Sequence, residues 1–159
     1  MTINKVFFCA VFLNVMVGCD FSAKPEGASK VVEKPLDNAT IVATGAYMRE
    51  IAPGQTRAAV YLKLQNNGDS PRTINLISAD IAGYAEVHNH IHEDGMMKMR
   101  EVKHPTIAAR SSLDFRPGGY HVMLFDVAKR PAAGSKIELL VEFDKAESLT
   151  VPVKIESVN

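Results

Sequence analysis

The sequence has few of the features that point to a particular functional class, such as many cysteines or an excess of one charge. Its 159 residues include no Trp, only two Cys, and 18 acidic residues balanced by 18 basic ones. Zero net charge provides no general attraction to nucleic acid or to anionic lipid. Because 47% of the residues are hydrophobic, burial can offset the loss of chain entropy, and a disordered chain is not expected. The composition predicts a globular domain that needs no disulfide bonds.

Both cysteines lie near the N-terminus, in a region that resembles an export signal. Lys5 precedes a run from Val6 to Val17 that is apolar at every position except Asn14. A run of about a dozen apolar residues is too short for a membrane span, which needs ~20, and is typical of a signal peptide, here residues 1–18. Gly18-Cys19 is similar to a bacterial lipobox, in which the cysteine becomes the lipidated first residue. Ordinary cleavage nearby is the alternative.

Export predicts a periplasmic or otherwise extracytoplasmic protein, anchored to the membrane only through lipid on Cys19. Residues 19–38 contain proline, glycine and charge without an apolar period, which predicts a flexible tether. The folded domain is then expected over residues 39–159. Because no Cys remains in that range, neither a disulfide framework nor a thiolate site is expected there.

Beyond residue 38, apolar residues alternate with polar ones, which is the period of half-buried β-strands. The alternating apolar sets are Val60, Leu62 and Leu64; Ile74 and Leu76; Ile137, Leu139, Val141 and Phe143; and Val151, Val153 and Ile155. Pro152 predicts that the last strand lies at a sheet edge, where a missing amide donor is tolerated. Short strands separated by Gly- and Pro-containing turns predict an all-β antiparallel sandwich or small barrel.

Histidine and methionine are concentrated in one part of this domain. All five His and four of the seven Met lie between His88 and Met123. The nine residues are His88, His90, His92, Met96, Met97, Met99, His104, His121 and Met123. Uniform scatter would not place them together, so the cluster calls for a chemical explanation.

Strand geometry brings several of these side chains together. His121 and Met123 are two residues apart, so a strand places both on one face. Asp94-Gly95 is a strong signal for a two-residue hairpin. That turn pairs His90 with Met99 and leaves His88 diagonal to Met99, within reach of a shared metal. A three-residue turn would shift the register and weaken this geometry.

The ligand types indicate which metal such a cluster would bind. A thioether is a soft neutral ligand that selects Cu(I), and two imidazoles with two thioethers form a neutral shell suited to a monovalent ion. A blue-copper centre would need a Cys ligand, which residues 39–159 lack. Ser111 and Ser112 have no nucleophile motif around them, and no glycine-rich phosphate loop follows a strand. We therefore expect a metal-binding protein and not an enzyme.

The spacing resembles that of the PCu(A)C family of periplasmic copper chaperones. Ten residues separate His88 from Met99, and twenty-one separate Met99 from His121-Val122-Met123. The flanking stretches are also similar, and the resemblance covers residues 39–153. The similar flanking stretches are Ala85-Glu86-Val87-His88, Gly95-Met96-Met97-Lys98-Met99-Arg100 and Pro117-Gly118-Gly119-Tyr120-His121.

The resemblance implies a cupredoxin-like antiparallel Greek-key β-sandwich that binds Cu(I) through His88, Met99, His121 and Met123. It also implies delivery of copper for assembly of the CuA centre of cytochrome c oxidase. The acceptor would be a Sco-type protein or the CuA subunit. Tyr47 stands where a Trp is common in the family, which should affect packing more than metal binding.

Three further residues are candidate auxiliary ligands. Alternation places His90 and His92 on the face of His88, where they could bind Cu(II) or zinc. Exposed polar residues beside a turn are the simpler alternative. Met97 shares the parity of Met99, although filling a packing gap is the commoner role of Met.

Two other functions remain open from the sequence. One is a copper or zinc buffer that uses His88, His90, His92 and His121. The other is an extracytoplasmic interaction module in which the His and Met cluster is incidental. Loss of binding on removal of methionine would separate the Cu(I) carrier from both.

Overall fold

The computed structural model describes residues 40–93 and 95–158. The predicted signal peptide, the lipidated Cys19 and the tether of residues 19–38 lie outside the described residues. Within the described ranges, no helix is long and apolar enough to cross a membrane.

The domain is built from ten β-strands, which confirms the predicted all-β class. The strands are β1 Ile41–Arg49, β2 Ala58–Asn66, β3 Arg72–Ala79, β4 Tyr84–Glu93, β5 Met96–Glu101, β6 Thr106–Ile107, β7 Ser112–Phe115, β8 His121–Phe125, β9 Lys136–Phe143 and β10 Ser148–Glu156. A single turn of 3₁₀ helix, Asp144–Ala146, connects β9 to β10.

The strands form one continuous hydrogen-bonded path in the order β5-β4-β8-β2-β1-β10-β9-β3-β6. Strand β7 pairs with β2 alongside this path, so β7 and β8 follow one another along the same edge of β2. Strands β1 and β10 pair in parallel, and every other pair of named strands is antiparallel. The predicted antiparallel arrangement therefore holds everywhere except at β1–β10.

The alternating residues predicted for β2, β9 and β10 are all buried. They are Val60, Leu62, Leu64, Ile137, Leu139, Val141, Phe143, Val151, Val153 and Ile155. Strands β4 and β8 add Val87, Val122 and Leu124 to the same hydrophobic cluster. The face of β4 and β8 that carries these three residues is thus fixed toward the core, and the opposite face points outward.

Two predictions about strands are wrong. Leu76 was expected to share the buried face of Ile74, but it is 51% exposed, and Ile77 is buried instead. The register of β3 against β9 shifts between Ile74 and Leu76, and such an irregularity changes the face on which later residues lie.

Pro152 does not mark an edge strand, because β10 lies between β1 and β9. Its pairing with β1 is confined to Lys154, Ile155 and Glu156, so Pro152 lies outside the β1–β10 ladder. The missing amide donor of Pro152 is tolerated because β10 has a second partner strand only at its C-terminal end, beyond Pro152.

Candidate metal centre

The hairpin of β4 and β5 has the register that the two-residue turn predicted. Glu93 pairs with Met96, His92 with Met97, and His90 with Met99. His88 pairs with Glu101, which leaves His88 diagonal to Met99. Residues that pair across an antiparallel ladder lie on the same face, so each of His90 and His92 faces a methionine.

Strand β8 extends this face on the other side of β4. His121 pairs with His88, and Met123 pairs with Glu86. The centroids of the His88 and His121 imidazole rings lie 5.9 Å apart. One outward face therefore carries every candidate ligand named from the sequence: His88, His90, His92, Met97, Met99, His121 and Met123.

His121 is the most deeply buried of these residues, at 3% exposure. Its Nδ1 lies 3.0 Å from the Gly119 carbonyl oxygen. Because a carbonyl oxygen only accepts, Nδ1 carries the proton, and Nε2 of the neutral ring keeps a lone pair. Burial is the main cause that lowers the pKa of His121, with further lowering from His90 and His88 and an opposing effect of the Gly119 hydrogen bond. The ring is held neutral, as a metal ligand must be.

The turn before β8 produces this arrangement. Gly118 has φ of 76°, a conformation that glycine adopts without steric cost. The Arg116 amide donates to the Tyr120 carbonyl at 2.7 Å, and the Gly119 amide donates back to the Arg116 carbonyl at 3.1 Å. The turn thereby places the Gly119 carbonyl beside the His121 ring.

His88 is oriented by a carboxylate on its own strand. Its Nε2 lies 2.7 Å from Oε2 of Glu86, two residues earlier on the same face. An ionised carboxylate only accepts, so Nε2 donates and Nδ1 keeps the lone pair. Nδ1 of His88 is buried and has no hydrogen-bond partner. A carboxylate that fixes the tautomer of an imidazole in this way is typical of metal-ligating histidines.

His90 lies directly beside His121, a contact that was not predicted from the sequence. The two rings stack with centroids 5.1 Å apart, and Nδ1 of His90 is buried without a hydrogen-bond partner. Within the described part of the chain, two buried imidazole nitrogens on this face thus lack hydrogen-bond partners, which is unusual for buried polar atoms. The sequence signals for the place of His90 are its alternate spacing from His88 and its predicted pairing with Met99, and neither indicates contact with His121. Glu86 and Gly119 were not singled out as functional residues.

The methionines form the exposed part of the face. Met99 is 46% exposed and Met97 57% exposed, whereas Met123 is partly buried. Nδ1 of His92 lies 3.2 Å from Sδ of Met97, so these two residues contact each other near the hairpin turn. The structure therefore groups the buried imidazole of His121 and the partly buried imidazoles of His88 and His90 with exposed thioethers on β5.

The donor set favours a metal that accepts sulfur. Across residues 40–93 and 95–158, no three His, Cys, Asp or Glu side chains lie close enough to hold a metal ion. His92, one member of the predicted four-histidine cluster, contacts Met97 instead of the other rings. The other donors on this face are thioethers, which are soft ligands that select Cu(I).

The chain is similar to one family model and to two curated bacterial proteins. Residues 41–155 match the family model described as "Putative lipoprotein LpqE-like". The chain is 31% identical over 105 residues to "Uncharacterized protein RP573" of Rickettsia prowazekii, a match that covers 65% of this chain and 58% of that protein. It is 28% identical over 106 residues to "Putative lipoprotein Lxx21020" of Leifsonia xyli, covering 65% and 64% of the two chains. The chain thus spans less than two thirds of these curated relatives.

Solved structures with a similar fold include two copper-loaded proteins. The copper-bound PCuAC domain from PmoF2 has a TM-score of 0.64 at 22% identity, covering 76% of this chain and 95% of that domain. The solution structure of CuI-DR1885 from Deinococcus radiodurans has a TM-score of 0.60 at 25% identity, covering 72% and 76% of the two chains.

Proposed function

The chain belongs to the LpqE-like family, and on this premise we propose that it binds one Cu(I) ion through His88, Met99, His121 and Met123 and carries it to an acceptor outside the cytoplasm. Its domain has the PCuAC fold, as the resemblance to that family predicted. The predicted cupredoxin-like architecture agrees with the same neighbours. The copper held by two of those neighbours supports a copper-binding carrier over an enzyme for this chain as well.

The observation that carries this proposal is the convergence of free imidazole nitrogens on a face with thioethers. Nδ1 of His88 is buried without a partner, and Nε2 of His121 is left with its lone pair. Met99 is diagonal to His88, and Met123 lies on the same face as His121. Glu86 and Gly119 already occupy the other nitrogen of each ring, so neither ring needs to change tautomer to bind a metal.

The charge of this set also favours a monovalent ion. Two neutral imidazoles and two thioethers add no negative charge, which suits Cu(I) better than a divalent ion. The name of the Deinococcus radiodurans structure, CuI-DR1885, supports the same oxidation state. Thioethers are weaker donors than thiolates, so an acceptor with cysteines can take Cu(I) by exchanging ligands one at a time.

For the acceptor, we propose a Sco-type thiol protein or the CuA subunit of cytochrome c oxidase. The lipoprotein names of the matching family and of the Leifsonia xyli relative support an extracytoplasmic protein anchored through Cys19. A tether of residues 19–38 would let the domain reach an acceptor at the membrane surface.

Competition against a colorimetric Cu(I) chelator under anaerobic conditions tests the site. We expect near-stoichiometric binding by the wild type and a large loss in a Met99→Ala, Met123→Ala double variant. A Met96→Ala variant is the matched control, because Met96 is exposed but pairs with Glu93 on the opposite face of the hairpin. Equal binding by the wild type and the double variant would exclude the four-ligand site.

The histidine-only buffer is the alternative, and the same assay distinguishes it. If zinc competes well with Cu(I), and if the methionine variants bind Cu(I) as tightly as the wild type, the ligands are His88, His90, His92 and His121. X-ray absorption on the copper-loaded protein gives an independent answer, because sulfur and nitrogen scatterers are distinguishable.

A further inference from the structure

The hairpin of β4 and β5 continues the His and Met pattern beyond the four proposed ligands. His90 pairs with Met99, and His92 pairs with Met97 one step closer to the turn. The two pairs lie on one face and are separated by two residues along each strand, or roughly 6.5 to 7 Å. Each pair offers one imidazole and one thioether, which are the donor types of the inner site.

The outer pair is accessible to solvent and its donors already converge. Nδ1 of His92 and Sδ of Met97 lie 3.2 Å apart. His92 is exposed, and Met97 is 57% exposed. Since neither side chain is fixed by packing, a small rotation would place an ion between the two donor atoms.

The opposite face of the same hairpin has different chemistry. Oε2 of Glu93 accepts hydrogen bonds from Lys98 at 3.0 Å and from Arg100 at 3.3 Å. Met96 lies on this charged face as the partner of Glu93. Met97 and Met99 therefore lie on the face of the metal site, whereas Met96 lies on the other face at similar exposure and provides an internal control.

We propose that His92 and Met97 form a second, weaker Cu(I) site through which the ion passes between solvent or an acceptor and the inner site. His90 pairs with the inner-site ligand Met99 and lies next to the outer pair along the strand, so it serves as the intermediate donor. This inference rests on the proposed function. Copper remains Cu(I) throughout, since each step only replaces one neutral donor with another.

The outer site should be weaker for physical reasons. It offers two donors where the inner site offers four, and solvent competes at both. Among residues 40–93 and 95–158, the imidazole of His92 contacts Met97 and has no carboxylate or carbonyl partner of the kind that orients His88 and His121. A weak site at the edge allows rapid exchange, while the oriented imidazoles of His88 and His121 retain the ion.

Methionine methyl NMR of the full chain, titrated anaerobically with Cu(I) alone, locates both sites. We expect the methyl signals of Met99 and Met123 to shift with the first equivalent of Cu(I). The Met97 signal should shift with the second equivalent, and the Met96 signal should stay in place. Equal shifts of Met96 and Met97, or no shift of Met97, would overturn the outer site.

Stopped-flow transfer of Cu(I) to a colorimetric chelator tests the path. Met97→Leu should slow transfer by roughly tenfold, which corresponds to a barrier about 1.4 kcal/mol higher. Its binding of the first equivalent should stay unchanged. Met96→Leu should transfer at the wild-type rate.

The outcomes separate this inference from the proposed function. If wild type binds one Cu(I) tightly but Met97→Leu transfers it at an unchanged rate, the path is wrong and the inner site stands. If the wild type binds no Cu(I) tightly, the proposed function and the path both fail. If Met96→Leu slows transfer as much as Met97→Leu, general loss of hairpin sulfur explains the effect, and the path fails.

Discussion

The imidazole half and the thioether half of the candidate site differ in how firmly the protein holds them. His121 is 3% exposed and hydrogen-bonded to the Gly119 carbonyl, whereas Met99 is 46% exposed on β5, which is an edge strand of the sheet. The imidazoles lie on β4 and β8, each of which has a paired strand on both sides. This difference indicates that the histidines define the position of the ion and that Met99 provides an exchangeable ligand.

The largest expected effect comes from removing the imidazole of His121, the buried histidine of the site. His121→Asn keeps a side-chain N–H near the Gly119 carbonyl but removes the free ring nitrogen. We expect Cu(I) affinity to fall by about 100-fold or more, because loss of an outer-shell partner alone can cost 10- to 100-fold. Met99→Leu should cost only about tenfold, or about 1.4 kcal/mol, since neighbouring donors remain. Chelator competition on both variants measures the contrast, and equal losses would contradict it.

A smaller effect should follow from loosening the orientation of His88 without removing the ring. Glu86→Gln removes the carboxylate that accepts from Nε2, so the ring can adopt the other tautomer. We expect a loss of Cu(I) affinity of about tenfold, the low end for outer-shell partners, because the Glu86 side chain is 33% exposed.

The control for this variant is Glu101→Gln, because Glu101 pairs with His88 across the ladder but lies on β5. A chelator titration of both variants decides the question. If Glu86→Gln binds copper as tightly as wild type, the Glu86 carboxylate has no orienting role.

The smallest effect concerns the metal-free protein and its dependence on pH. The pKa of His121 is lowered mainly by burial, from an unfolded value near 6.5. Below about pH 6.5 the unfolded chain takes up a proton that the folded state resists, so the free energy of unfolding falls as pH decreases toward the folded pKa. It levels off below that value, and above about pH 6.5 this residue has no effect.

Urea unfolding of the metal-free wild type and of His121→Asn, from about pH 8 to about pH 5, checks this sign. The variant should lose less stability than the wild type over the acidic part of the range. His88 and His90 face the same ring, so the difference between the two proteins is the relevant quantity. A steeper loss in the variant would contradict the assigned direction.

Local sequence rules predicted much of the fold and of the candidate face. Alternation identified the buried residues of β2, β9 and β10, and the hairpin turn fixed the pairing of His90 with Met99. The same rules failed at Leu76, because a register shift in β3 depends on how that strand fits against β9. They also failed for the last strand, because the position of β10 between β1 and β9 depends on distant parts of the chain.

The sequence by itself determined which side chains share a face, since strand alternation and a two-residue turn act over a few neighbouring residues. Only the tertiary structure decided that β8 lies beside β4, that His121 is buried, and that His90 stacks on it. It also decided which nitrogen each ring presents, through Glu86 and the Gly119 carbonyl. These features depend on packing between segments far apart in sequence, where no local period specifies the partner.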